Sequence, residues 1–261
     1  MDNTNKLKFE SPSFLQRIKS MLSVDFYRLF HTPLFYIMLI VSALIPALVL
    51  TMTGANEMPD AQTFTNVWQV IESISGANSG AGLMDLATMC NINMVFIFVA
   101  IMISIFVSHD YSSGYNKSIF TVHPKKVDYV ISKSIVGFIS GACMILSYVF
   151  GAMVAGLLAG LSFSLGSANI LTVLNCLLSK ICLMGVFVPL YITVAVFFKQ
   201  KLWLSILGSF MVGILFYPIA MMTAPLNSTF LNLIMCIAGG ILLGLAFGAL
   251  STLILNKRDL F

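Results

Sequence analysis

Six uninterrupted apolar runs, at 34–53, 88–108, 134–160, 174–198, 202–223 and 230–256, decide what this chain can become. Each exceeds the roughly 18 residues that, at about 1.5 Å per helical residue, begin to span a hydrocarbon core of about 30 Å. One soluble core cannot hide six such runs in 261 residues, of which 9% are charged. An ordinary soluble domain carries about a quarter charged residues. The runs lack the alternating polar positions that line a barrel lumen, and a helix satisfies every backbone group within its own segment. The expected fold is an all-α integral membrane protein with six transmembrane helices in one domain, 34–256.

Orientation follows from the basic residues. Thirteen of the 14 Lys and Arg fall on one side of that topology. Lys6, Lys8, Arg17, Lys19 and Arg28 precede the first span, and Lys117, Lys125, Lys126 and Lys133 lie between spans two and three or at the latter's mouth. Lys199 and Lys201 sit between spans four and five, and Lys257 and Arg258 in the tail. The opposite loops, 54–87, 161–173 and 224–229, hold none. The positive-inside bias therefore places both termini (1–33 and 257–261) and the 109–133 segment in the cytoplasm. The net charge of +4 is a topology signal and gives no indication of nucleic-acid binding. Lys180 is the exception, inside the fourth span: either it snorkels to the outer headgroups or its charge faces a cavity in the bundle.

From Ser11 to His31, apolar residues recur at helical spacing (Phe14, Leu15, Ile18, Met21, Leu22, Phe26, Leu29, Phe30), with Arg17, Ser20, Ser23, Tyr27 and Arg28 opposite. Ser11 and Pro12 suit the cap and first position of an amphipathic helix on the inner leaflet, its basic face toward headgroups or a partner. The first outer loop carries Glu57, Asp60, Glu72 and Asp85 without a basic residue, and short helical pieces with a flexible section are expected there. Small residues at four-residue spacing, Gly137 and Gly141, Gly156 and Gly160, and Gly240, Gly244 and Gly248, predict close helix packing. No cleavable signal peptide is expected, since the first apolar run starts only at Leu34.

Several chemistries are excluded. His31, His109 and His123, the three histidines, all lie at the cytoplasmic face, so a serine nucleophile or a haem inside the bilayer lacks its histidine. The five cysteines fall in apolar runs without Cys-x-x-Cys spacing and read as small buried residues. No Walker-type phosphate loop occurs, so the chain has no ATPase site of its own and no cofactor is expected in it. Every Asp and Glu sits in a loop, an end segment or near a span end, which disfavours an ion-coupled secondary carrier.

The 109–133 segment is longer than a tether needs. Read as a helix, Tyr111, Tyr115, Ile119 and Val122 share one face, with Ser112, Asn116 and Lys117 beside or opposite them, and Pro124 ends it. Such a helix suits docking of a soluble partner, or rests on lipid as an interfacial loop. The run Asp110-Tyr111-Ser112-Ser113-Gly114, then Lys117, Pro124 with Lys125 and Lys126, and Lys133 resembles the loop between the second and third spans of ABC-2 type permeases. The N-terminal amphipathic helix resembles that family's connecting helix, and the tail "NKRDLF" its basic and acidic ending.

The resemblance implies a transporter permease without its own ATPase, docked through a coupling helix to a separate ATP-binding subunit that holds ATP and Mg. It implies a second permease subunit, expected as a homodimer, in a bacterial cytoplasmic membrane. Docking then falls to Asp110, Tyr111, Gly114, Tyr115, Lys117 and Ile119, with Arg17 and Arg28 of the connecting helix. Spans two and five, which line the pathway in such permeases, supply Asn91, Asn93, Phe96, Phe98, Phe210, Phe216 and Tyr217. Those aromatics read equally as packing or lipid-facing surface. Aromatic and aliphatic walls with two amides suit amphipathic or lipid-like cargo, and export of peptide toxins or bacteriocin self-protection is the expectation by analogy. The competing reading is a membrane anchor or sensor that moves nothing.

Overall fold

The computed structural model describes residues 13–55, 66–71, 90–122, 125–164, 169–198, 201–226 and 228–257. Ser13, not Ser11, caps the first helix, α1 (Phe14–His31): its hydroxyl accepts from Gln16 N at 3.4 Å while Gln16 Oε1 accepts from Ser13 N at 3.0 Å. That reciprocal box satisfies two donors at once, which an isolated Ser-Pro start cannot do. Ser11 and Pro12 lie outside the described residues, as do the four outer-loop carboxylates, His123, Pro124, Lys199 and Arg258. Thr32 ends α1, and Pro33, needing no amide partner at a helix start, opens α2 (Pro33–Ala55).

The chain continues through α3 (Val67–Ile71), α4 (Met94–Ser112), α5 (Tyr115–Val122), α6 (Lys126–Leu158), α7 (Ile170–Phe198), α8 (Leu202–Thr223) and α9 (Phe230–Lys257). Among the described residues α2, α4, α6, α7, α8 and α9 are the helices long and apolar enough to cross a membrane. They overlap the six apolar runs, with the larger shifts at the starts of the second and third. The second starts only at Met94, because Asn91 folds its side-chain oxygen back onto Asn93 N at 2.9 Å and forms a turn ahead of the helix. The third starts at Lys126, since nothing between that residue and Ser134 breaks a helix. The stretch from Lys126 to Lys133 and the span are one rod of 33 residues.

α7 is the hub, packed against α4, α6, α8 and α9, while α2 lies along α6 and α1 crosses the first turns of α6. The glycine pattern explains the closest crossings. A Cβ added at Gly244 of α9 would stand 2.6 Å from Gly185 O of α7, and one at Gly141 2.9 Å from Met184 Sδ. Gly151 of α6 likewise rests on the Ala43 carbonyl of α2. Between lipid-solvated helices there is little hydrophobic drive to associate, so this backbone proximity specifies who pairs with whom. On α8 the residues Trp203, Leu207, Met211, Leu215, Ile219 and Met222 form an outward apolar stripe, a surface for lipid or an apolar partner.

At the end of the bundle away from α5, α3 is tucked inward with Val67, Val70 and Ile71 buried and Val67 against Gly156. The Tyr148 hydroxyl of α6 donates toward Val70 O (3.2 Å) and Cys90 O (3.0 Å), and Ile92 N donates to Ile71 O (3.1 Å).

Candidate functional site at the base of the short helix

The turn that launches α5 is built on Gly114, whose φ of +73° lies in the left-handed region that side-chain-bearing residues avoid. It reverses the chain directly after Asp110 and Tyr111, so the last turn of α4 and the first of α5 share one corner with α1 and α6. Four charges meet there. Lys133 Nζ lies 2.8 Å from Asp25 Oδ1 and 2.7 Å from Asp110 Oδ2, and Arg28 Nη2 is 2.6 Å from Asp110 Oδ1. Ser132 Oγ donates to Asp25 at 2.7 Å, and Tyr129 OH donates to Asp110 at 3.0 Å. Both carboxylates are 0% exposed.

Two acids and two bases leave this quartet neutral, which is how it tolerates burial. Each ion loses several kcal/mol of hydration (order of magnitude), so a group of this kind adds little net stability but penalises any arrangement that separates its members. Arg28 also lies over the Tyr115 ring at 4.0 Å, and Lys133 over the Phe106 ring at 4.0 Å. Burial alone lowers the Arg28 pKa, but the adjacent Asp110 carboxylate more than offsets it, and the net shift is upward. Tyr115 is pushed up to about 12, first by burial and next by the negative charge of Asp25, with Arg28 pulling the other way. One further ion pair, Arg17 Nε to Asp128 Oδ2 at 2.9 Å, pins the start of α1 to the start of α6.

The expected docking residues therefore divide. Asp110 and Arg28 are engaged inside the corner, Tyr115 faces Arg28, and Ile119 packs with Phe120 on the core while Phe120 meets Tyr129 edge-on at 5.6 Å. Asn116, expected beside or opposite the aromatic face, is buried. The side of α5 left open carries Lys117, Ser118 and Thr121. The basic face of α1, expected toward headgroups or a partner, instead turns Arg17 and Arg28 onto carboxylates of α4 and α6. Three members, Asp25, Asp128 and Tyr129, escaped the sequence reading. A signal for Asp25 existed: it falls four residues after Met21 and four before Leu29, both buried, so it occupies the apolar stripe.

The residues expected along spans two and five also divide. Tyr217 OH donates to Asn91 Oδ1 at 2.8 Å, and Lys180 Nζ donates to Asn93 Oδ1 at 2.7 Å, which joins α4, α7 and α8 through one polar cluster. Lys180 is 0% exposed; it faces the bundle and does not reach outward to headgroups. Phe96 meets Phe187 at a tilt of 43° with ring centroids 4.6 Å apart, and Phe187 meets Phe216 edge-on at 6.3 Å. Phe98 is half-buried against the core, and Phe210 points outward. Nearer the charged corner, Ser104 Oγ donates to Ser209 Oγ at 2.7 Å, so α4 and α8 are zipped by hydroxyls as well as by apolar contact.

The family model described as "ABC-2 family transporter protein" matches residues 21–216, a stretch that runs from α1 into α8. The chain belongs to the ABC-2 transporter family. It is a transporter permease subunit, a multi-pass protein of the cytoplasmic membrane. ABC-2 permeases are transport membrane subunits that associate with an ATP-binding subunit. Comparison with curated proteins and with solved structures gives no match.

Proposed function

We propose that this ABC-2 permease exports amphipathic peptides, serving toxin export or self-protection against such peptides, and that α5 is the coupling helix on which a separate ATP-binding subunit docks. Two copies pair as a homodimer, each with its own ATPase carrying ATP and Mg. The charged end of the bundle faces the cytosol, in keeping with the concentration of Lys and Arg there.

The observation that carries this reading is the quartet itself. A short helix with an open polar side, Lys117, Ser118 and Thr121, lays its Tyr115 ring on Arg28, one of four buried charges that bind α1, α4 and α6 to one another. A push on α5 passes through Tyr115 and the Gly114 turn to α1, α4 and α6, which cannot separate without parting ions in a low-dielectric corner and so move as one body. In this scheme Asp110, Arg28, Tyr115 and Ile119 hold the coupling helix in place, Gly114 allows its turn, and Lys117 meets the partner. Arg17 fixes α1, and Tyr111 closes the corner from α4. Between α4 and α8, the aromatic cluster of Phe96 and Phe216 with Asn91, Asn93 and Tyr217 supplies an amphipathic wall once those helices part; Phe98 and Phe210 flank it.

The test is co-purification with the ATP-binding subunit followed by ATP-driven uptake of a fluorescent amphipathic peptide into inverted vesicles. Stimulated ATPase and accumulation that stops without ATP are expected. A stable complex that hydrolyses ATP yet moves no peptide removes the export reading, and no complex at all favours the anchor.

A further inference from the structure

Between α6, α7 and α9 the bundle leaves a groove of about 550 Å³, within the size range of small-molecule sites, and its lining includes no residue of α4 or α8. Packing creates it. A Cβ at Gly240 would stand 3.0 Å from Cys182 O and one at Gly244 2.6 Å from Gly185 O, so α9 presses its backbone onto α7. A turn further on, a Cβ at Gly248 would meet only Val130 Cγ1, at 4.0 Å, so α9 stands off from α6. The gap is walled by hydrocarbon, with Val127, Val130, Ile131 and Ile135 of α6 facing Ile241 and Leu245 of α9. Ser134 and Thr252 are the hydroxyls of the lining, and Thr252 donates back to Ala249 O at 2.7 Å.

From Gly240 to Thr252 the groove follows α9 for about 18 Å, and its Val127 and Thr252 end carries three cations. Lys125 precedes α6, Lys126 opens it beside Val127, and Lys257 closes α9 five residues after Thr252. Lys126 Nζ donates to Leu255 O at 2.6 Å, which ties the two helix ends together and satisfies one of the last carbonyls of α9. A carbonyl carries no net charge, so the cation is not cancelled. The adjacent acid, Asp128, is 1% exposed and holds Arg17 at 2.9 Å. Among the described residues none of the three lysines lies within 4.0 Å of a carboxylate, and Lys125 and Lys257 are exposed. A purely apolar partner helix would leave those charges unanswered. Cations at the rim of a hydrocarbon slot complement an amphiphile with an anionic head, and basic pockets between transmembrane helices on the cytoplasmic side hold lipid phosphates in this way.

We propose that the groove between α6 and α9 seats an acyl chain of an anionic phospholipid from the cytoplasmic leaflet, whose phosphate Lys125, Lys126 and Lys257 hold at its mouth. The inference goes beyond the export reading and shares with it only the placement of the basic end in the cytosol.

The probes are dioleoyl phosphatidylglycerol and dioleoyl phosphatidylcholine, which share their tails and differ in headgroup charge. Each is titrated into the delipidated permease–ATPase complex in dodecylmaltoside, and the first bound molecule is followed by native mass spectrometry. The anionic lipid is expected to bind about tenfold more tightly, the scale of one to two lysines at about fivefold each. Changing Lys125→Gln, Lys126→Gln and Lys257→Gln together is expected to erase that preference, while Lys201→Gln, at an exposed lysine ahead of α8, leaves it intact. Gly248→Leu, which fills the slot without striking backbone, is expected to weaken both lipids several-fold. Equal binding of the two lipids by the unaltered complex overturns the site, as does an undiminished preference in the triple variant or an equal loss in Lys201→Gln. Unchanged binding by Gly248→Leu overturns the groove as the seat of the tail. Displacement of the lipid by an equal concentration of glycerol phosphate, which has no tail, does the same. Binding of neither lipid means that another chain covers the groove, and the lipid assignment is wrong. Peptide export stands or falls separately, by the vesicle uptake assay.

Discussion

Asp110→Asn is the perturbation that interrogates the charged corner most directly. Asp110 stands 2.6 Å from Arg28 and 2.7 Å from Lys133, so neutralising it removes two close ion contacts and leaves two cations facing the single carboxylate of Asp25. Removing one partner from a buried ion group strands charge, at a cost of about 3–5 kcal/mol. Lys133→Met does the converse, leaving Asp25 and Asp110 against Arg28 alone. Combined, the two changes restore neutrality: Asp25 and Arg28 remain, 4.0 Å apart. The double variant should therefore be more stable than the sum of the single losses by at least about 2 kcal/mol. Unfolding in mixed dodecylmaltoside and SDS micelles gives the four corners of the cycle, and ATPase stimulation by the partner subunit reports α5 separately. Strictly additive losses, or an Asp110→Asn protein as stable as the parent, would refute the account of the quartet as a mutually neutralising unit.

Tyr115 offers a pH signature. Its phenol keeps its proton to about pH 12 in the native chain but only to about pH 10 once unfolded, so its contribution is complete below pH 10 and is lost as pH rises toward 12. Absorbance titration of Tyr115→Phe against the parent checks this, with the most resistant tyrosinate transition in that range expected to change. Gly244→Leu forces a side chain onto the Gly185 carbonyl and should destabilise the α7–α9 crossing by about 1–3 kcal/mol, whereas Gly239→Leu, which meets nothing within 4 Å, should be nearly silent in the same unfolding assay. Lys117→Glu should weaken co-purification with the ATP-binding subunit several-fold without changing the unfolding midpoint; an intact complex would move the docking contact elsewhere. A cysteine at position 117 should react with an impermeant maleimide in inverted vesicles and stay unlabelled in intact cells.

The spans were legible because length and hydropathy are one-dimensional signals, and the membrane accepts few alternatives to a helix. The partnerships across the bundle were not. Arg17 and Asp128 lie 111 positions apart, and nothing local distinguishes a cation facing headgroups from one facing a distant carboxylate. Lys180 shares a helix face with Cys176, Met184 and Phe187, all buried, yet every face of α7 is apolar, so hydropathy could not say which one looks inward. The glycine spacings fared better at Gly137, Gly141, Gly156, Gly240 and Gly244, where absence of a side chain is itself a statement about what must come close, whereas Gly160, expected to pack, meets nothing within 4 Å past the end of α6. Asn91 and Asn93 stood out as amides beside an apolar run, but the bonds of Asn93 to Lys180 and of Asn91 to Tyr217 depend on a turn that periodicity does not reveal.

The unbroken α6 has a mechanical corollary. Within it Lys133 and Tyr148 are separated by 15 residues, about 22 Å of stiff helix. A tilt of about 15°, comparable to known subunit rotations, would sweep the Tyr148 phenol through roughly 6 Å. That is twice the reach of its links to the Val70 and Cys90 carbonyls. An event at the basic rim would thus part Tyr148 from those two carbonyls by leverage alone, with no messenger other than a single rigid beam.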